Sequence, residues 1–303
     1  MKATVRAPGT CGELVQGTID GCNFHITCPI NLYSYVTVNL NKKLKKTISN
    51  PHLPKTIEAV NSTLKYFESQ DLKAEIIVES ELLSGKGMAS STADITAAIL
   101  ATTVALGKKI TEDEIARLAL AIEPTDGLFY PGIVLFDHVN GYLHQYLGES
   151  PALNILMLDL GGKVDTLMFN SRSDLQRLNK INEPLTNQAL DMIRQGIANY
   201  DLKLIGEGAT LSSKANQRIL PKKKFNQLLS LTEIEGVLGF NIAHSGTLVG
   251  ILYDNQKVTS KKLESKVEKK IVGLSSYKLK LINGGLEVID KDILVSERKY
   301  RYG

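Results

Sequence analysis

Cysteine is scarce in this 303-residue chain: Cys11, Cys22 and Cys28 are odd in number and show no C-x-x-C spacing. That argues against a disulfide framework and against a structural zinc site, and it makes a reducing cytoplasm the expected setting. A long hydrophobic run is also missing. The opening MKATVRAPGT has no secretory apolar core, and the longest apolar run, residues 95–106, is too short to cross a bilayer. Surplus charge of one sign is missing too, since a net +4 over this length supports an anionic ligand only weakly and gives no basis for a nucleic-acid partner. There is no tryptophan, no internal repeat and no low-complexity tract. What remains is a soluble globular chain long enough for two cores, whose expected partners are small molecules rather than nucleic acid or membrane. Oligomeric state is not legible.

The most organised stretch is LLSGKGMASSTAD, residues 82–94. Gly85 and Gly87 let the backbone turn and approach a ligand closely. The amides of Ser90, Ser91 and Thr92 would open a helix, where unpaired N–H groups and the helix dipole favour an anion. Lys86 adds a positive charge. The helix that follows carries small or apolar groups on nearly every face, which predicts burial. Ser91 and Asp94 are spaced as a variant capping box, and Gly107 before Lys108 and Lys109 suits the helix end. A phosphate cradle and a plain capped helix after a glycine turn both fit this stretch alone.

Residues 4–7 read as a short strand stopped by Pro8-Gly9, and 10–17 as a turn or loop with Glu13 as its only charge. Glu13 is either a ligand for a hydroxyl or amine, or a solvated turn acid. Residues 24–28 and 32–40 alternate as strands of a twisted antiparallel sheet, and Lys42, Lys43, Lys45 and Lys46 suit a solvated hairpin tip. A helix over 56–66 and a strand over 74–78 lead into the glycine loop. Thr111-Glu112-Asp113-Glu114 is a capping box, and Pro124 stops its helix near Glu123. That stop delivers Glu123 and Asp126 close together, as a metal ligand and a base or as two acids of a polar turn.

Strands over 133–137 and 142–146 close the first half, with His138 and His144 read as structural. Residues 148–151 form the expected boundary between domains 1–150 and 151–303. The second half reads as a strand over 154–160, helices near 187–200 and 201–212, strands over 236–241 and 250–253, a helix over 260–272, and final strands over 277–282 and 286–289. Helices laid on one face of an antiparallel sheet make an α+β fold.

Three stretches in order, Ala7-Pro-Gly-Thr-Cys-Gly-Glu13, Gly85-Lys-Gly-Met-Ala-Ser-Ser-Thr-Ala93 and Ala243-His-Ser-Gly246, resemble the three motifs of the GHMP small-molecule kinases. PGTCGELVQG, CPINLYS, GKGMASSTAD, EPTD and LFDH together look like the bacterial L-threonine kinases that supply threonine phosphate for the cobalamin side chain. The resemblance implies a two-domain GHMP kinase fold, with a ribosomal-protein-like N-terminal domain and a ferredoxin-like C-terminal domain. It also implies ATP, Mg²⁺ and transfer of the γ-phosphoryl group to a hydroxyl amino acid. Carried onto this sequence, Gly85, Lys86, Gly87, Met88, Ala89, Ser90, Ser91 and Thr92 would bind ATP, with Lys86 also catalytic. Ser90 or Ser91 with Glu123 would order Mg²⁺, and Asp126 would position or deprotonate the acceptor. Glu13 and Asn31 are expected at the substrate ammonium or hydroxyl, and Arg6 or Thr125 at its carboxylate. Thr10 stands where the wider family often has a lysine, and AHSGT is poorer in glycine than the usual third motif. Two other readings stay open: a homoserine or other small-alcohol kinase, and a non-catalytic nucleotide-binding regulator.

Overall fold

The computed structural model describes residues 1–162, 172–271 and 273–289. The fold starts from a long hairpin. Asp20 and Gly21 both take positive φ, 49° and 77°, as a two-residue turn of the primed type requires, so β1 (Lys2–Ile19) folds back on β2 (Cys22–Asn41). Pairing runs from Lys2 opposite Asn39 to Ile19 opposite Cys22. The stretch 10–17, expected as a turn, is therefore strand, and the two strands expected over 24–28 and 32–40 are one. The alternating pattern is lost here because both faces of β1 are covered, and because the register shifts between Pro8 and Gly9 and on either side of Glu13.

The other strands are β3 (Ile48–Asn50), β4 (Lys73–Ser80), β5 (Ile133–Phe136), β6 (His144–Gly148), β7 (Asn154–Asp159), β8 (Val237–Ile242), β9 (Leu248–Tyr253), β10 (Ser275–Lys280) and β11 (Glu287–Val288). Their main order is β10-β7-β9-β8-β1-β2-β4-β3, with β5 on β2 and β11 on β1. The two halves of the chain meet where β1 touches β8, through the single pair Glu13 and Ile242. Residues 281–289 return to the first half: Leu281 bridges Ile30, Gly284 bridges Gly132 and Val288 pairs with Val5.

The helices are α1 (Pro54–Tyr66), α2 (Ser90–Ala105), α3 (Glu112–Leu120), α4 (Leu175–Ala198), α5 (Leu202–Asn216), α6 (Phe225–Leu229) and α7 (Ser260–Lys270). Helix α2 is buried along almost its whole length because β1 and β2 cover one side and α1 and α3 the other. Its predicted capping box does not form. Ala89 sits at the N-cap with φ 53°, Ser91 donates to Glu123, and Asp94 accepts from Ser34. The box at Thr111 and Glu114 does form and fixes the start of α3. Helix α4 begins earlier than expected because Pro184 interrupts the pattern inside it. Residue 272, the predicted end of α7, lies outside the described residues. The result is the α+β architecture expected, with the described helices too short or too polar to cross a membrane.

Candidate active site

A cavity of about 230 Å³ opens where the glycine loop enters α2. Gly85, Gly87, Met88, Ala89, Ser90, Ser91 and Thr92 form one wall, and Glu123, Asp126, Glu13, His25, Lys55, His244 and Ser245 face it. The glycines at this wall are needed because two backbones touch. Thr247 donates its amide to Lys86 O at 2.9 Å, a Cβ on Gly87 would sit 2.5 Å from the Ala243 methyl, and one on Gly246 would overlap the Lys86 carbonyl.

The two acids delivered by the Pro124 stop take different partners. Glu123 accepts from the Ser91 hydroxyl on one oxygen and pairs with the Lys55 ammonium, from the first turn of α1, on the other. Asp126 Oδ1 lies 3.0 Å from His25 Nδ1, and its amide donates to Thr92 Oγ1 at 3.4 Å. Thr125 pins the turn between them, donating its amide to His138 O at 2.8 Å and its hydroxyl to Glu123 O at 2.9 Å.

Behind Asp126 stand three imidazoles. His25 stacks on His138 with centroids 3.6 Å apart and planes 9° from parallel, and His244 tilts against His25 at 4.4 Å. Burial, then the neighbouring rings, hold His138 well below the ordinary histidine range; burial, then His25 and Lys222, do the same for His244. The ring nitrogens come close enough to suggest a metal. Face-to-face rings, however, send their in-plane lone pairs along parallel lines, which cannot meet at one ion. The cluster is a packed wall that fixes Asp126.

Glu13 is only 4% exposed and accepts the His244 amide at 2.6 Å. Burial pushes its carboxyl up, His25 draws it down, Asp126 raises it, and the His244 amide and Lys222 lower it, leaving it at about 7.

Residues 54–129 match the GHMP kinases N terminal domain. Over 289 residues the chain is 33% identical to an L-threonine kinase of Salmonella typhimurium, covering 94% of this chain and 95% of the relative. It is 31% identical to an L-threonine kinase of Citrobacter freundii, over 94% and 99% of the two chains. The chain belongs to the GHMP kinases. A solved homoserine kinase from Cytophaga hutchinsonii has the same fold, with a TM-score of 0.70 and 18% identity over 95% of this chain and 97% of the other.

In this GHMP kinase, all the loop residues expected to hold ATP line the cavity except Lys86. The Lys86 ammonium turns the other way, 2.8 Å from Asp159 Oδ2 at the end of β7 and 2.8 Å from Gly162 O. Asn31 is likewise outside the cavity: its Oδ1 accepts the Lys280 amide at 2.8 Å. Thr125 is buried and holds the turn rather than facing the cavity, and Arg6 pairs with Glu287 at 2.7 Å and does not line the cavity. Glu13, Ser90, Ser91, Glu123 and Asp126 are where they were expected, on the cavity wall.

Lys55, His25 and His244 were not singled out as site residues in the sequence. Lys55 follows a helix-opening proline and His25 lies inside a regular strand pattern, so neither carries a local signal; His244 lay within a quoted motif but had no assigned role. The Ser91 and Glu123 oxygens are hard donors that meet on one wall, which fits Mg²⁺.

Proposed function

We propose that this GHMP kinase transfers the γ-phosphoryl group of ATP to the side-chain hydroxyl of L-threonine, giving L-threonine O-3-phosphate for cobalamin biosynthesis. The observation that carries the reading is the convergence of Ser91–Glu123–Lys55 and His25–Asp126 on the N-terminus of α2. Near-full-length identity to two L-threonine kinases supports the choice of acceptor.

The loop amides and the start of α2 receive the phosphates. Ser91 and Glu123, with Ser90 beside them, would hold Mg²⁺, which neutralises phosphate charge when bound. Lys55 adds a cation at the same wall. Asp126, held by His25, accepts the hydroxyl proton as the new O–P bond forms; the bond to the β-phosphate oxygen breaks and ADP leaves with its electron pair. Glu13 is the counter-charge for the acceptor's ammonium. Positioning supplies most of the acceleration, and the base adds about 10²- to 10⁴-fold.

A panel of acceptors tests the reading. With Mg²⁺-ATP, ADP release should show the highest kcat/KM for L-threonine among L-threonine, L-serine, L-homoserine and mevalonate. A higher value for another acceptor changes the assignment, and nucleotide binding with no turnover on any of them favours a regulatory protein.

A further inference from the structure

Lys222, between α5 and α6, lies outside the cavity and is only 8% exposed. Its ammonium donates to Ala243 O at 2.9 Å and to Gly246 O at 2.6 Å, the two ends of the turn that carries His244 and Ser245. Its own amide donates to Gln217 Oε1 at 2.8 Å, which fixes where the side chain starts. On the other side of the turn Glu13 accepts the His244 amide, and Gln16 Oε1 lies 2.8 Å from His244 Nδ1. The turn is therefore gripped by a cation on its carbonyls and by a carboxyl oxygen on an amide, each matching the backbone dipole it meets.

Burying an ammonium costs several kcal/mol, and an apolar side chain of similar volume would fill the same space without that cost. What the ammonium adds is a fixed position for the turn. That position matters because the turn is the floor of the glycine loop: Thr247 bonds Lys86 O, and the Ala243 methyl and Gly246 backbone press on Gly87 and Lys86.

We propose that Lys222 is a positioning residue for nucleotide binding: its charge holds the 243–246 turn against residues 85–87, and the loop keeps its phosphate-binding shape while that charge is present. The proposal rests on the reading of this loop as the nucleotide site. The charged group that acts on the ammonium is Glu13, from β1; His244, on the turn itself, is held well below the ordinary histidine range by burial, His25 and the ammonium. Burial brings Lys222 down to about 8, against the pull of Glu13 in the other direction.

The test is calorimetric binding of the Mg²⁺ complex of AMPPNP to the full chain from pH 7 to pH 9, for wild type, Lys222→Met and Lys222→Arg, with Lys203→Met on the exposed face of α5 as control. With the uncharged lysine binding about tenfold more weakly, loss of one proton near pH 8 lowers wild-type affinity about fivefold between pH 7 and pH 9. Lys222→Met should bind about tenfold more weakly at pH 7 with no alkaline fall. Lys222→Arg, whose guanidinium keeps its charge, should bind like wild type at pH 7 and hold that affinity at pH 9. Binding by Lys222→Met within twofold of wild type, or an alkaline fall in Lys222→Arg equal to that of wild type, overturns the proposal.

If neither variant folds, hydrogen exchange of wild type decides. Protection of the Thr247 amide, corrected for intrinsic rate, should drop between pH 7 and pH 9, and constant protection contradicts the proposal. A wild type that binds no nucleotide at any pH overturns the nucleotide reading instead, while the exchange measurement still reports whether Lys222 holds the turn.

Discussion

His25 Nδ1 and Asp126 Oδ1 are 3.0 Å apart, and the His25 ring is clamped against His138 on its other side. The Asp126 carboxylate on the cavity wall is thus oriented by a side chain that cannot rotate without breaking a stack. Asp126→Asn should lower kcat about 10²- to 10⁴-fold and leave the Kd for ATP nearly unchanged. His25→Phe keeps the stack and loses the bond, and should lower kcat roughly tenfold. The two residues act as one unit, so the double variant should be no slower than Asp126→Asn alone. Additive losses in single-turnover kinetics would show that His25 acts elsewhere.

Two lysines separate the cation that faces the cavity from the one that does not. Lys55 meets Glu123 at the cavity wall, whereas Lys86 is spent on Asp159 and Gly162. Lys55→Ala should lower kcat/KM for ATP by about tenfold or more, and Lys86→Ala by no more than about threefold, since charge stabilisation acts only where a cation meets the phosphates. Steady-state kinetics with ATP varied at saturating threonine will decide it. A larger loss from Lys86→Ala would mean that the Asp159 pair opens when nucleotide binds.

Asp94 links the site helix to stability through pH. Burial holds its proton more tightly in the folded chain, up to about 6, against the hydrogen bond from Ser34, which favours the ionised form. Between the unfolded carboxyl value near ~3.9 and about 6, the folded state binds more protons than the unfolded state, so stability falls as pH rises through that window. Asp94→Asn keeps an acceptor for Ser34 and removes the titration. Relative to this variant, wild type should lose about 2–3 kcal/mol between pH 4 and pH 7. Urea unfolding of both proteins at the two pH values measures the difference, and a pH-independent gap would contradict the assignment.

Much of this was legible in the residue order. The glycine loop, the all-round apolar α2, the Thr111 capping box and the Pro124 stop each carry a local signal strong enough to place Ser91, Glu123 and Asp126 on one wall. Asp20-Gly21 is a hairpin dipeptide that drew no expectation of a turn, because the bulges around Glu13 and burial on both faces masked the period of the strands and made strand look like loop. Lys55, His25 and Lys222 were hidden for a different reason. Each meets the site through tertiary contacts across tens to hundreds of residues, and no local pattern announces which way a long or aromatic side chain will point. Lys86 shows the converse, since a lysine inside a phosphate loop reads as a phosphate ligand until its ammonium is seen to pair with Asp159.

The identity of the acceptor is decided by letting acceptors compete. Equimolar L-threonine, L-serine and L-homoserine incubated with limiting Mg²⁺-ATP and the full chain, with products separated by ³¹P NMR and mass spectrometry, should give O-phospho-L-threonine as the dominant product. Phosphohomoserine or phosphoserine as the dominant product would rule out L-threonine as the preferred acceptor.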